Sequence, residues 1–481
     1  MYPCPPDCAA HDKMCELFGV ATTEIDKEFR AGGKGVPLSN QMIDGAKMRS
    51  LIAKMLELFR SAMLSGNVRK YPVIAQQFEK NPGRAIGFVL GAISDLCFNL
   101  EYVRRITDAR WSYCTQAGDH RVYYPYLGVC PHCVLTLARP VLAALGVAID
   151  ASEAEKESRA RYFGNKIESH HVGRIGERIL VYILDLLTKS KHADAITILV
   201  FDDQHDVDAA FFFEKLGVLT QIKASPLILL PVVSFLAAPL TNGVNEQTGL
   251  PQQRKDHSFT DFASSEHDLH LYFSIDNSTI PLGRRTEEHW PYEPFVSALT
   301  EDDALKIIQN WISIYLSFEI PKRERREVDV KRAYLTSGWG APIDDNKTKA
   351  GLARSDNMMK GTYASLKYGA YYVQECKRRS LKTALVANID PAHQYAEYLE
   401  KLHDIRWGHS GDFLPDEKSN VFRIAADRLT NLFDCVFTLN RQIMNDRVLA
   451  DAWGFEAFFE RLMTPEGEKF LAQWREVPNA N

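Results

Sequence analysis

The sequence lacks several features that would narrow its chemistry at once. Its 57 Lys and Arg are outnumbered by 62 Asp and Glu, giving a formal net charge of −5. No overall positive field marks a nucleic-acid binder, so any polyanionic partner has to be met by a local basic cleft. No uncharged apolar run reaches the roughly twenty residues that a membrane helix needs. The nearest stretch, 224–240, is interrupted by three prolines. The opening residues Met1-Tyr-Pro-Cys-Pro-Pro-Asp-Cys8 lack the basic-then-apolar pattern of a secretory signal. There is no internal repeat, low-complexity tract, P-loop or Rossmann glycine fingerprint. Cysteine is sparse and odd in number, nine in all, with one Cys-x-x-Cys pair. That usage fits a metal site in a reducing, cytoplasmic setting better than a disulfide framework.

What is present is an ordinary globular composition, 46% hydrophobic and 25% charged, in a chain of 481 residues. That length suffices for two or three domains. Residues 1–160 read as mostly helical, with helical spacing over 42–65, 86–106 and 135–149. Between these lie Cys114-Thr-Gln-Ala-Gly-Asp-His120 and Val129-Cys-Pro-His-Cys133. Cys-Pro-x-Cys is the form of a zinc knuckle, a tight turn aiming two thiolates at one ion. Cys130 and Cys133, completed by Cys114 and His120, are therefore the expected ligands of a structural Zn²⁺. Cys4, Cys8, His11, Cys15 and Cys97 are competing ligands.

The densest chemistry lies at 206–225, Asp-Val-Asp-Ala-Ala-Phe-Phe-Phe-Glu-Lys-Leu-Gly-Val-Leu-Thr-Gln-Ile-Lys-Ala-Ser. This reads as a β-hairpin with strands over 206–213 and 218–224 and a turn at 214–217, where Gly217 could take a positive φ. Asp206 and Asp208 share one strand face. The partner strand carries Gln221 and Lys223. A polar cluster at a strand end between apolar segments is costly unless it binds something. Upstream, 173–189 has the stripe of an amphipathic helix with Glu177 in its first turns, and 196–201 reads as a buried strand. Downstream, 355–380 reads as a helix and 381–390 as a strand.

Asp208, followed after twelve residues by Gln221-Ile222-Lys223, resembles the PD-(D/E)XK nuclease motif. Ala224-Ser225-Pro226-Leu227 resembles the residues just after that Lys in restriction endonucleases. The family's usual Glu is Gln221 here, which removes a negative charge but keeps a neutral hard oxygen ligand. The resemblance implies a core of helix, three strands, helix and strand. It implies that Asp208, Gln221 and the carbonyl of Ile222 hold Mg²⁺, and that Lys223 stabilises developing charge. Glu177 would orient a metal-bound water or hold a second ion. Asp206 is the fallback for Asp208, and Glu214 is a further acidic candidate expected to be solvated.

The expected fold is thus α/β, an α+β mixed sheet forming a PD-(D/E)XK-like nuclease core. A helical, zinc-containing region over 1–160 precedes it, and a helical region over 411–481 comes after it. The core would span 161–410 with an insertion at about 227–354. In that insertion, Trp339 between two glycines, then Lys347, Lys349, Arg354 and Lys360, form the candidate DNA-binding loop. Its basic run 322–326, with Lys331 and Arg332, reads as a solvated helix face. The functional expectation is a metal-dependent, sequence-specific endonuclease of double-stranded DNA, similar to a type II restriction enzyme. It would act as a homodimer with a cognate DNA methyltransferase in the same system. The alternatives are a catalytically weakened DNA-binding protein on the same core, suggested by Gln221, and a zinc-organised helical interaction protein.

Overall fold

A computed structural model describes residues 22–24, 43–105, 110–114, 120–124 and 169–200. It also describes 207–234 (except 215, 229 and 231), 241–244, 251–253, 268–273, 278–319, 351–371 (except 354), 381–391 and, with short interruptions, 399–476. Met48, Leu51, Ile52, Met55, Leu56 and Phe59 recur at three- and four-residue intervals and form the buried face of α1 (Gly45–Ser65). Asp44 caps its start by accepting from the Lys47 amide, and Gly66 ends it at φ +79°. Helices α2 (Pro72–Lys80) and α3 (Pro82–Arg105) come next. Helix α3 is long and apolar enough to cross a membrane, yet its apolar span is wholly buried within the protein, where it is a core helix.

The helical spacing over 42–65 and 86–106 is matched by α1 and α3, while 135–149 lies outside the described residues; short strands also occur in the N-terminal part. Strand β1 (Thr22–Glu24) pairs antiparallel with the core sheet, and β2 (Arg110–Cys114) and β3 (His120–Tyr124) form a hairpin. Helix α4 (Ser169–Lys191) then leads into β4 (Ile196–Val200), β5 (Ala209–Phe213) and β6 (Leu216–Lys223), which pair antiparallel in sequence. The turn is shorter than expected. Glu214 takes the positive φ, at 51°, while Gly217 lies inside β6 opposite Phe212. A Cβ on Gly217 would sit 2.4 Å from Leu381 and 2.8 Å from the Phe212 ring, so this glycine serves close packing rather than the turn. Glu214 is exposed and pairs with His192 at 3.3 Å.

The insertion builds a second sheet. Strands β7 (Val232–Ser234), β10 (Leu269–Phe273) and β11 (Ser278–Gly283) combine with β2 and β3 in the order β11-β10-β7-β3-β2, while β8 (Thr241–Val244) and β9 (Pro251–Gln253) pair separately. Helices α5 (Tyr292–Ala298) and α6 (Glu301–Glu319) return the chain to the helical layer, α6 packing on α1, α2 and α3. Helix α7 (Ser355–Tyr371) then precedes β12 (Leu381–Ala387), which runs parallel to β6.

The helical spacing over 421–443 is overturned. The segment holds three strands: β15 (Val421–Arg423), paired with the preceding β14 (Leu414–Asp416); β16 (Thr430–Asn431), paired with the preceding β13 (Arg406–Trp407); and β17 (Cys435–Thr438), which joins the core sheet parallel to β12. All four residues of β17 are buried. A short apolar run covered on both faces has no period of two to separate it from a helix. The last residues do form helices, α8 (Arg447–Ala452), α9 (Phe455–Leu462) and α10 (Pro465–Arg475), which bury Trp453, Phe455, Phe458 and Trp474 as packing groups.

The result is a mixed α and β architecture around a six-stranded sheet ordered β1-β4-β5-β6-β12-β17. Alternate strand residues face two cores. Val218, Ile222, Ala384 and Val386 join α1, α3, α4, α6, α9 and α10 in one large cluster, whereas Leu385, Ala387 and Val436 pack with Leu352 and Met358 beside α7. Each buried Leu, Ile or Val contributes about 1.5–3 kcal/mol. The chain leaving β6 is tied to α3 by polar bonds. Asp95 accepts from the amides of Leu227 (3.0 Å) and Ile228 (2.9 Å) and from the Trp311 indole (2.7 Å), while Asn99 accepts from the Leu230 amide at 2.7 Å. Burial nevertheless pushes the Asp95 carboxyl up to about 7.

Candidate active site

The site lies at the end of β6, where three elements converge. Helix α4 approaches closely because residue 176 is glycine. A Cβ there would meet the Ala224 carbonyl oxygen at 2.8 Å. That approach sets Glu177, the next residue, beside the strand end. On the other side α7 presents Gly361, where a Cβ would lie 3.2 Å from Cγ of Lys223. Lys223 is thus held between the two helices with its side chain 21% exposed, its ammonium 3.8 Å from the Glu177 carboxylate. It also donates to the Ile222 carbonyl at 3.1 Å.

Asp208 stands just ahead of β5, its amide donating to the Thr220 carbonyl at 2.9 Å. That bond sets Asp208 against Gln221 on the neighbouring strand. The Asp208 carboxylate accepts from the Ile222 amide at 2.6 Å and from the Gln221 side-chain amide. Gln221 is buried, at 4% exposure. Glu177, Asp208, Gln221, Ile222 and Lys223 are therefore brought together from α4, the start of β5 and the end of β6. The electrostatics arise from this crowding. Desolvation, then the Asp208 charge, raises the Glu177 carboxyl to about 7, against the opposing pull of Lys223, Arg178 and Arg174.

The donor set is all oxygen: two carboxylates, the Gln221 amide oxygen and the Ile222 carbonyl. Hard oxygen donors fit Mg²⁺ or a similar divalent ion, and two crowded carboxylates are favoured by a cation between them. Gln221 has to rotate its amide to present its oxygen instead of the NH₂ now donated to Asp208. Among the described residues no three His, Cys, Asp or Glu side chains gather in one place. At this site the third acidic position is occupied by Gln221.

The other expected residues are less gathered. Cys114 and His120 lie directly opposite one another in the β2–β3 register. Cys130 and Cys133 lie outside the described residues, as do Asp206, Trp339, Lys347, Lys349, Arg354 and the basic run 322–332. Lys360 is exposed on α7, adjacent to Gly361. The competing ligand Cys97 is a free thiol in the core, and burial pushes it well above the usual thiol range. Two residues were missed in the sequence. Arg174 and Arg178 lie within electrostatic reach of Glu177. The spacing of Arg174, three residues before Glu177 on one helix, was the signal that could have found it; Arg178, one residue after, gave none. Also unforeseen is a clasp beside the site. Asn388 donates to the Ser225 carbonyl, and the Ser225 hydroxyl accepts from the Gly351 amide at 3.0 Å. Gly351, at φ +52°, has Asn388 and Ile389 within 2.9 Å of where a Cβ would lie.

Comparison with protein-family models, with curated proteins and with solved structures returns no match for this chain.

Proposed function

We propose that the chain is a metal-dependent endonuclease that hydrolyses phosphodiester bonds in double-stranded DNA, of the PD-(D/E)XK kind and similar to a type II restriction enzyme. The observation that carries this reading is the meeting of Glu177, Asp208 and Lys223 at one strand end. The element order supports it: helix α4, antiparallel β4, β5 and β6, helix α7, and β12 parallel to β6. A bound divalent ion would polarise the scissile phosphate and acidify a water. Asp208, Gln221 and the Ile222 carbonyl would hold that ion. Glu177 would orient the water or hold a second ion. Lys223 stabilises negative charge at the attacked phosphate.

Symmetric duplex cleavage makes a homodimer the simplest assembly, with a cognate methyltransferase as companion. Lys360 and the loop carrying Trp339, Lys347, Lys349 and Arg354 are proposed to contact the DNA backbone. Structural Zn²⁺ at Cys114, His120, Cys130 and Cys133 is part of the same proposal, supported by the cross-strand pairing of the first two. Its test is metal content after gel filtration, with loss of zinc in the Cys130→Ser variant. The nuclease test is incubation of the purified protein with genomic and phage DNA at several Mg²⁺ levels. Discrete fragments lost in Asp208→Ala and Lys223→Ala support it, and uncut DNA throughout opposes it.

One observation favours a second reading. The Gln221 amide is bonded to the carboxylate that should hold the ion, as expected of a DNA-binding protein on a catalytically weakened core. That protein shifts duplex DNA in a gel without cutting it.

A further inference from the structure

The ladder between β6 and β12 ends at the pair Lys223 and Ala387. Beyond it a side chain takes over from the backbone. Asn388, the first residue after β12, is buried at 4% exposure. Its amide oxygen accepts from the Ser225 amide at 3.3 Å, and its NH₂ donates to the Ser225 carbonyl. One side chain thus satisfies both backbone groups of the residue two places after Lys223, as a neighbouring strand would. An acceptor and a donor face their opposites here, which fixes which way the Asn388 amide points.

The same clasp holds the start of α7. The Ser225 hydroxyl accepts from the Gly351 amide at 3.0 Å, and the Leu352 amide donates to the Ile389 carbonyl at 3.0 Å. Asn357, in the first turn of α7, donates to the Gly351 carbonyl at 3.1 Å. At residue 351 a Cβ would lie 2.8 Å from the Asn388 amide oxygen, so only glycine leaves that amide in place. Helix α7 then closes on the strand end at Gly361, where a Cβ would lie 2.7 Å from Leu385 and 3.2 Å from Cγ of Lys223. A lysine ammonium rides on a flexible four-carbon stem, so its position is set by what packs along that stem. For Lys223 those surfaces are its own strand end and the α7 backbone at Gly361. Asn388 fixes the first directly and the second through Ser225 and Gly351.

We propose that Asn388 is a positioning residue for Lys223, holding the end of β6 and the start of α7 so that the ammonium stays beside Glu177. This rests on the nuclease reading, in which Asn388 acts only through Lys223. A double-mutant cycle tests it: cleavage of linear phage DNA in Mg²⁺, in single turnovers with enzyme in excess over a range of enzyme concentrations. Asn388→Ala is expected to slow cleavage at saturation by about tenfold to a hundredfold, with the half-saturating concentration unchanged. On the Lys223→Ala background the same change should slow the residual cleavage by no more than about twofold, because the group it positions is gone. Asn388→Asp keeps the shape and the acceptor but sets an oxygen against the Ser225 carbonyl, and should lose as much as Asn388→Ala. Thermal melts check folding. Should Asn388→Ala not fold, Ser225→Ala, which removes only the bond to Gly351, carries the same cycle with a smaller loss of the same pattern. Equal losses on both backgrounds, a change in half-saturation alone, or no loss while wild type cuts overturns the role of Asn388 and leaves the nuclease reading standing. Wild type that cuts no DNA at any Mg²⁺ level overturns both.

Discussion

Helix α4 carries a half-buried carboxylate, Glu177, in its first half and a fully buried one, Asp185, in its second, and the two surroundings drive them in opposite directions. Asp185 sits in a fully satisfied network. It pairs with Lys189 at 3.1 Å and Arg49 at 3.2 Å, and accepts from the Thr197 hydroxyl at 2.7 Å and the Trp474 indole at 2.9 Å. These partners hold its carboxyl below the usual range despite burial, Lys189 and Arg49 first. Arg49 also stacks over Trp474, 5.0 Å from the ring centroid, so α1, α4, β4 and α10 meet at one charge. Glu177 has the reverse setting: desolvation and a second carboxylate beside it outweigh the Lys223 ammonium 3.8 Å away and the charges of Arg178 and Arg174. One end of the helix spends its carboxylate on the fold. The other holds one in a poorly satisfied state, the usual mark of a site that binds or reacts.

The largest expected contrast is between the two lysines. Lys223→Ala should cut cleavage by about a hundredfold to a thousandfold while the unfolding midpoint barely moves, whereas Asp208→Ala should lose cleavage likewise but also about 1–3 kcal/mol of stability, because it orphans the Ile222 and Gln221 amides. Lys189→Ala should do the opposite, with kcat retained and stability lost, so cleavage kinetics and urea melts on both variants break the comparison if they behave alike. Next in size, Asp185→Ala leaves Arg49 and Lys189 buried beside no counter-charge and should cost about 3–5 kcal/mol, read from urea unfolding. A smaller loss, about 1–3 kcal/mol, is expected for Gly176→Val, whose branched side chain pushes α4 off the Ala224 carbonyl. Because that shift also parts Glu177 from Lys223, its activity should fall further than its stability explains.

The smallest effect carries the sign. The Glu177 carboxyl is raised from 4.5 to about 7 in the fold, so between those values the folded state holds the extra proton. Its contribution to stability is complete below pH 4.5 and is lost as pH rises through 7. Glu177→Gln should therefore stabilise the protein above neutrality by on the order of 1 kcal/mol, with the gain vanishing in acid. Melting temperatures across a pH series check this. Asp95 is raised to about 7 as well and adds a slope of the same sign, so the difference between wild type and Glu177→Gln, not the bare profile, is the measurement. Asp185, being lowered, gives the opposite trend, with stability lost only as pH falls through the acid range.

Much of this was legible in the chain itself. The apolar stripe of α4, the β4–β5–β6 meander and the later α7–β12 pair arise from local periodicity, and they carry Glu177, Asp208, Gln221 and Lys223 on the expected elements. Spacing also announced α1 and α3. Sequence alone misplaced the turn at 214–217 and read strands as helix over 421–438, because a few apolar residues at mixed intervals satisfy either period. It gave no sign that β2 and β3 would pair with an insertion strand, since pairing across such separations is chosen by the whole sheet and not by the segment.

The sequence determined which residues have chemistry and which elements carry them, because helix and strand periods are local properties. Only the tertiary structure decided which carboxylate of α4 is satisfied and which is not. That depends on Arg49 and Trp474 arriving at one end from opposite ends of the chain, and on two glycines, Gly176 and Gly361, letting helices close on Lys223 at the other. Charge state is set by distance and burial, which no single segment encodes.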